Sequence, residues 1–157
     1  MKFILIIVLI FMIMLIANAL SEQYKEKFDF YSNLKIFLQH FKINVSFKQE
    51  KVIDFLNKIK AKKQFNLFIK SYKNYLKTNE INFKEIKLLD EEEKQSLENI
   101  IKSIGSFDAK NEINQLDMFL IEIESKLKKA ETDKAKLCPM ILKLSLLFAI
   151  GLAILLI

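Results

Sequence analysis

The chain is apolar at both ends and charged in between. Residues 3–16 form an unbroken apolar run, and residues 17–20 add only Asn18 as a polar interruption. At the other end, residues 144–157 contain nothing more polar than Ser145. A lipid core of about 30 Å takes roughly 20 helical residues to cross, so both ends are candidate membrane spans. The pattern predicts a membrane hairpin that holds one soluble domain.

The predicted boundaries give an N-terminal anchor at 1–20, a soluble domain at 21–137 and a C-terminal anchor at 138–157. Lys143 would lie inside the second span, which is tolerable because a lysine stem can carry its ammonium to the headgroups. Small residues recur every fourth position along this span and predict a transmembrane packing face; ordinary composition explains them equally well. These residues are Ser145, Ala149 and Ala153.

The first apolar segment has a second interpretation. Lys2, the apolar run and Ala17-Asn18-Ala19 also spell a secretory signal peptide. The run is long for such a peptide and stays rich in Ile and Met up to the small residues, which favours an uncleaved anchor. The positive-inside rule then predicts a cytoplasmic central domain and two external termini. The lysines that carry this argument are Lys25, Lys27, Lys126, Lys128, Lys129, Lys134 and Lys136.

Between the anchors, apolar residues recur at spacings of three and four, which predicts amphipathic helices. A further short helical turn is predicted at residues 81–89. The fold class is therefore all-α: a membrane-anchored helical bundle with a transmembrane helix at each end. The positions expected to be buried are Tyr31, Leu34, Phe37, Leu38 and Phe41; Val52, Ile53, Phe55, Leu56 and Ile59; Phe65, Phe68, Ile69, Tyr72, Tyr75 and Leu76; Leu97, Ile100, Ile101 and Ile104; and Ile113, Leu116, Leu120, Ile123, Leu127 and Ala130.

Helix ends are marked by capping signals. Ser46 with Gln49, and Asp90 with Glu93, have the spacing of a capping box, in which two side chains satisfy free N–H groups of the first turn. Gly105 predicts the end of one helix, and Asp108 is placed to cap the next. Residues 105–108 are thus predicted to form a helix-turn motif.

The last soluble helix has a heptad pattern over residues 113–130. Glu122–Lys126 and Glu124–Lys128 are expected to form supporting ion pairs one turn apart. The seam is short for a free coiled coil, so packing within the bundle is the favoured interpretation. We expect this helix to run almost directly into the C-terminal anchor.

Composition leaves little room for catalysis. The chain has one histidine (His40), one cysteine (Cys138), two glycines and no arginine. It therefore lacks the residues for a zinc site of usual spacing, an internal disulfide or a glycine-rich phosphate loop. We expect no enzyme activity, catalytic residue, cofactor, metal site or small-molecule substrate. Despite the net charge of +6, nucleic-acid binding is not expected, because base recognition favours arginine; the lysines suit a solvated face and anionic lipid headgroups.

The order and spacing of several motifs resemble the stage III sporulation protein AB family. Ile104-Gly105-Ser106-Phe107-Asp108 is similar to the family's Leu-Gly-x-x-Asp turn, and residues 24–27 are similar to its basic exit from the first anchor. The sequence lacks the Gly and the Thr-Pro-Leu turn that the family tends to have around residues 44–48. Ser145 and Ala149 stand where the family's terminal anchor has Gly-x-x-x-Gly.

The resemblance implies a non-enzymatic membrane platform in the channel complex that joins mother cell and forespore. Its domain would be similar to the inner-membrane platform of type II secretion and type IV pilus machines. The implied partners are a cytoplasmic motor ATPase and other membrane subunits of the complex, with Ser145 and Ala149 packing against one of them. The implied location is the mother-cell side of the outer forespore membrane.

Two other interpretations stay open. One is a membrane-tethered helical scaffold of unrelated machinery. The other is a secreted protein whose first segment is cleaved after Ala19, which would leave an external domain with a C-terminal anchor.

Overall fold

A computed structural model describes residues 2–48, 50–61, 63–104 and 109–156. These residues form five α-helices, one π-helical segment and no strand, as the sequence predicts for an all-α chain. The helices are α1 (Lys2–Ile43), π1 (Asn44–Lys48), α2 (Val52–Lys58), α3 (Lys63–Thr78), α4 (Glu91–Ser103) and α5 (Ala109–Leu156).

The chain divides into two compact units. The terminal unit contains Met1–Phe28 and Lys128–Ile157, and the central unit contains Asp29–Leu127. Both α1 and α5 contribute residues to each unit, because each is a single helix of more than 40 residues. The boundaries predicted from the sequence, after residue 20 and before residue 138, mark where the chain would enter the membrane. They are a different division from these compact units and stay a prediction.

The core of the central unit is built largely from aromatic side chains. Phe37 on α1 is its hub: its ring lies 5.9 Å from that of Phe55 on α2 and 5.8 Å from that of Phe68 on α3, centroid to centroid. Such edge-on and tilted pairs stabilise a core beyond the area that they bury. The largest fully buried side chains are Tyr31, Tyr72, Phe30, Phe41, Phe68, Leu34, Leu38, Leu56, Ile86, Leu97, Ile100 and Ile101.

The predicted stripes of α1 and α4 are buried throughout. The α2 stripe is less regular, because only Leu56 is fully buried and the other four positions are half-exposed. On α3 the prediction is wrong at Leu76, which is 41% exposed. On α5, Leu116, Ile123 and Ala130 are buried, and the other predicted seam positions, Ile113, Leu120 and Leu127, are half-buried.

The segment after α3 differs from the prediction of a helical turn at 81–89. Asn79 adopts a left-handed backbone (φ 62°) and donates its N–H to the Tyr75 carbonyl at 2.9 Å, which ends α3. The following residues form two non-helical turns, one of them closed by the Asn82 side chain, which accepts a hydrogen bond from the Lys84 N–H at 3.0 Å. Asparagine favours such local side-chain bonds over a helix. The apolar side chains of this segment are nevertheless buried: Phe83, Ile86 and Leu89.

The first predicted capping box is also different in the structure. Gln49 lies outside the described residues, and α2 begins at Val52 with Lys51 as its N-cap and no side-chain cap. Ser46 belongs to π1, and its hydroxyl donates to the Lys42 carbonyl at 2.8 Å. Because α1 continues into π1, this hydroxyl bonds back to the preceding turn rather than forward.

Candidate functional site

The predicted site residues fall in two parts of the chain. Gly105 and Asp108 lie outside the described residues, so their helix-turn motif stays a prediction. The small-residue stripe lies on α5 in the terminal unit. There Ala149 is only 1% exposed, whereas Ser145 and Ala153 are half-buried.

The terminal unit brings its two apolar segments into contact. The Cys138 thiol on α5 donates a hydrogen bond to the Ser21 carbonyl on α1 at 3.4 Å. Close by, the Lys134 ammonium lies 4.1 Å from the centroid of the Phe28 ring. On α1, Ala17 and Ser21 are each only 1% exposed. Small side chains on both segments are therefore buried within this unit, the arrangement that lets helices approach closely in a membrane.

Ala149 is the most buried residue of the small-residue stripe, at 1% exposed. That Ser145 and Ala149 pack against another membrane subunit, as the resemblance implies, stays a prediction. Large apolar residues lie exposed on both segments. Among them, Ile4, Phe11, Leu147 and Phe148 are between 62% and 66% exposed.

Two helical stretches among the described residues, Ile6–Phe47 and Asn111–Leu155, are long and apolar enough to cross a membrane. Only 17% of the most apolar part of the first stretch is buried, and only 11% of that of the second. A helix that is apolar all round belongs either in a protein core or in lipid, and such low burial is unlike a core helix.

In the central unit, α5 is joined to α4 by polar contacts. The Glu122 carboxylate on α5 accepts hydrogen bonds from the Ser96 hydroxyl on α4 and, at 2.8 Å, from the Lys126 ammonium one turn along α5. Partial burial works against the charged form of Glu122, but these hydrogen bonds and the Lys126 charge outweigh it and hold the pKa of Glu122 below its ordinary value. The predicted Glu122–Lys126 pair is thus confirmed.

Two further ion pairs join α5 to α1. Glu124 pairs with Lys35 at 2.9 Å, rather than with Lys128 as the sequence pattern suggested, and Asp117 pairs with Lys42. Both pairs connect helices that are distant in sequence, so they help to set the register of α5 against α1. Since all four side chains are partly exposed, each pair contributes at most about 1 kcal/mol.

A groove with a volume of about 690 Å³ lies in the central unit between α1, π1, α2 and the start of α3. We call it the α1–α2 groove. Half of its lining is apolar and half polar: Asn33, Ile36, Phe37, His40, Ile43, Asn44, Glu50, Phe55, Lys58, Ile59, Lys60 and Phe65.

Asn44 is the unusual residue of this groove. It is only 3% exposed, and its side-chain amide donates to the Glu50 carbonyl at 3.1 Å. Its side-chain oxygen accepts no hydrogen bond from any described residue. Asn44 is also the first residue of π1, which follows directly on the end of α1.

Charged side chains surround the groove. The Glu50 carboxylate is paired with the Lys58 ammonium, so these two charges compensate each other. Lys60 and His40 also line the groove, and both are exposed. No group of three or more His, Cys, Asp or Glu side chains suited to a metal ion occurs among the described residues.

Sequence patterns did not identify this groove. One signal was present: Asn44 follows Phe41 by three residues and so continues the apolar face of α1 with a polar side chain. A polar residue on a buried face requires a partner or a function. The spacing of apolar residues did not predict the π-helical turn that places Asn44 in the groove.

Comparison with known proteins gave one match. The family profile described as stage III sporulation protein AB matches residues 2–157, essentially the whole chain. No curated protein and no solved structure matches the chain.

Proposed function

The chain belongs to the stage III sporulation protein AB family, and from this premise we propose that it is a non-enzymatic platform of the channel complex between mother cell and forespore. The platform is held in the membrane by both apolar segments. The observation that carries the proposal is the exposure of large apolar side chains on both segments, together with the burial of small ones within the terminal unit.

We propose that the central unit lies in the mother-cell cytoplasm. The lysines at 126–136 precede the C-terminal span and Lys25 and Lys27 follow the first, whereas only Lys2 lies beyond the spans. A surplus of lysine next to the spans keeps a segment on the cytoplasmic side. The absence of arginine does not weaken this argument, because the rule counts both basic residues.

The proposed partners are a cytoplasmic motor ATPase, which would contact the central unit, and other membrane subunits, which would contact the terminal unit. Outward apolar side chains such as Phe11 and Phe148 are available for lipid or for such subunits. The stripe at Ser145, Ala149 and Ala153 is proposed to serve close packing of α5 within the membrane.

Topology is the first test. Single cysteines at Lys77, which is exposed on α3, and after the last residue would be placed in a Cys138→Ser background. Intact cells would then be treated with a membrane-impermeant thiol reagent. Labelling of the C-terminal cysteine alone is the expected result. Labelling at position 77 would put the central unit outside, contradict the platform proposal and favour a cleaved N-terminal segment, which sequencing of the mature N-terminus would detect.

The ATPase contact needs a separate test. The full chain in detergent would be co-purified with the motor ATPase of the channel complex. Retention of the ATPase is expected. If topology is as proposed but the ATPase is not retained, the motor contact is contradicted and a membrane-tethered scaffold is the better description.

A further inference from the structure

Three lysines of the terminal unit share one face of α5. Lys129, Lys136 and Lys143 recur every seventh residue, and seven residues of an α-helix make almost two full turns. The side chains of all three are exposed. A different face of this stretch packs on α1, since Cys138 is buried and its thiol contacts the Ser21 carbonyl. The lysines therefore form a row that faces away from α1, which we call the lysine row.

The lysine row runs from the water side of the predicted C-terminal span into the span itself. Lys129 and Lys136 precede residue 138, where the span is predicted to begin, whereas Lys143 lies about 7.5 Å farther along the helix axis than that residue. Beyond Lys143 on the same face, Leu147 is 66% exposed and Ile154 is 70% exposed. This face of α5 is thus positively charged at the edge of the span and apolar within it.

The chain itself supplies no counterion for the Lys143 ammonium. Residues 134–157 contain no aspartate or glutamate, and neither do residues 1–21 of the segment that packs on them. The structure shows no ion pair of Lys136 or Lys143 with another described residue. A lysine inside a membrane span is costly unless its charge is compensated. An anion from outside the chain is therefore required.

The order of charge and apolar surface along this face indicates what the anion belongs to. A phospholipid has its phosphate at the membrane edge and its acyl chains below, and the exposed side chains of α5 follow the same order. Helical side chains lean toward the N-terminus of the helix, which directs the Lys143 stem toward the headgroups beside Lys136. A zwitterionic headgroup suits the face less well, because it would bring its own ammonium close to Lys136.

We propose that the lysine row binds an anionic phospholipid in the leaflet nearest the central unit. The Lys143 ammonium meets the lipid phosphate from the acyl side, and Lys136 adds positive charge on the water side. An acyl chain packs along Leu147 and Ile154. This inference rests on the part of the proposed function that places α5 in the membrane, and it adds the class of lipid, the leaflet and the residues that bind it.

The test uses a fluorescent reporter beside the lysine row. The chain contains no tryptophan, so Leu147→Trp introduces a single indole one turn beyond Lys143. The full chain with this change is reconstituted in vesicles of equal parts phosphatidylcholine and phosphatidylglycerol. Either one lipid or the other carries bromine on its acyl chains, which quenches a neighbouring indole. Brominated phosphatidylglycerol, the anionic lipid, is expected to quench more strongly.

Variants in the Leu147→Trp background identify the lysine that carries the preference. Lys143→Met should lower the preference for phosphatidylglycerol about fivefold, because one lysine beside the headgroup is lost, and Lys143→Arg should retain it. The matched control is Lys134→Met, which removes an equal charge from α5 outside the lysine row, where the Lys134 ammonium lies over the Phe28 ring. It should leave the preference unchanged. If Lys143→Met does not insert into the vesicles, Lys136→Met takes its place, with a similar expected loss.

Three results would overturn the lipid site while leaving α5 in the membrane. One is equal quenching by the two brominated lipids, which would leave a carboxylate of another subunit as the counterion. Another is an equal loss in Lys143→Met and Lys134→Met. The third is quenching that falls equally for both lipids as the protein content of the vesicles rises, which would show that a second copy covers this face. Quenching by neither lipid would place residue 147 outside the bilayer and would contradict the membrane span itself.

Discussion

At the scale of single residues, the start of α4 shows how two side chains set a helix boundary. The Asp90 carboxylate accepts a hydrogen bond from the Glu93 N–H at 2.8 Å, and the Glu93 carboxylate accepts one from the Asp90 N–H at 3.0 Å. Two N–H groups that the helix itself leaves free are thereby satisfied. The spacing of these two residues predicted the arrangement, because a capping box needs only local geometry.

Replacing the cap should therefore destabilise the central unit. Asp90→Ala is expected to lower the free energy of unfolding by about 1 kcal/mol, since the Glu93 N–H loses its acceptor. The matched control is Glu92→Ala in the same turn, which lies outside the reciprocal pair and should cost less. Denaturant unfolding of the full chain in detergent would measure both. An equal loss in both variants would show that first-turn charge, not the cap, stabilises α4.

Glu122 gives a prediction for pH. Its pKa in the folded chain is below the ordinary value, so it binds protons more weakly when folded than when unfolded. The contribution of Glu122 to the free energy of unfolding is thus fully present above the ordinary glutamate pKa. It is lost as the pH falls through the lowered pKa of the folded chain. The side chain is 42% exposed, which limits the contribution to less than about 1 kcal/mol.

We expect Glu122→Gln to be less stable than the native chain at neutral pH and equally stable at acid pH. Unfolding midpoints measured across this range would show the gap closing. Glu85→Gln, at an exposed position between α3 and α4, is the control and should change the stability at neutral pH by less than about 0.5 kcal/mol. A gap for Glu122→Gln that is constant with pH would contradict the role of its charge.

At the scale of elements, aromatic rings join three helices of the central unit. Besides its contacts with Phe55 and Phe68, Phe37 lies 6.3 Å from Phe65 and 6.4 Å from Tyr72, between ring centroids. It is 3% exposed. One side chain of α1 thus holds both α2 and α3, and α2 is too short to be stable by itself.

Truncating this hub should be far more damaging than truncating a surface ring. Phe37→Ala is expected to cost about 3–5 kcal/mol, from lost burial and the cavity left behind. Phe47→Ala removes the same group from a side chain that is 83% exposed, and should change stability by less than about 0.5 kcal/mol. Thermal unfolding of both variants would test this. Similar losses would mean that Phe47 is covered in the folded protein.

Apolar periodicity predicted the elements that are long and packed on one side. The stripes of α1 and α4 are buried as expected because a spacing of three and four places such residues on one helix face. The prediction of a helical turn at 81–89 is wrong because buried apolar residues do not require a helix. Phe83, Ile86 and Leu89 are buried although the segment that carries them consists of turns. The α1–α2 groove was not predicted because it depends on the π-helical turn and on contacts between residues distant in sequence.

At the scale of the whole molecule, two apolar segments from opposite ends of the sequence meet in the terminal unit. The contact between the Cys138 thiol and the Ser21 carbonyl defines the register of this pair. The helix α5 passes through Pro139 without a break, although proline supplies no N–H to the turn before it.

The pairing can be tested by crosslinking. Ser21→Cys should form a disulfide with the native Cys138 under mild oxidation, because the thiol already lies 3.4 Å from the backbone of residue 21. Leu20→Cys, whose side chain is 44% exposed, is the control and should crosslink poorly. A shift in gel mobility that reducing agent reverses would report the bond. Equal crosslinking at both positions would indicate that the two segments do not keep one register.

The π-helical segment Asn44–Lys48 is a place where the chain could gain or lose one residue. A π-helical turn holds more residues than an α-helical one, since its hydrogen bonds close five residues apart rather than four. Deleting one residue here would let the turn wind as an α-helix and would rotate the side chains of π1 that follow the deletion by about 100° relative to α1. Phe47 and Asn44 would no longer share their present orientation, while the core residues of α1 would keep theirs. An insertion or deletion at this point would therefore reshape the groove while the core residues of α1 that precede it stay in place.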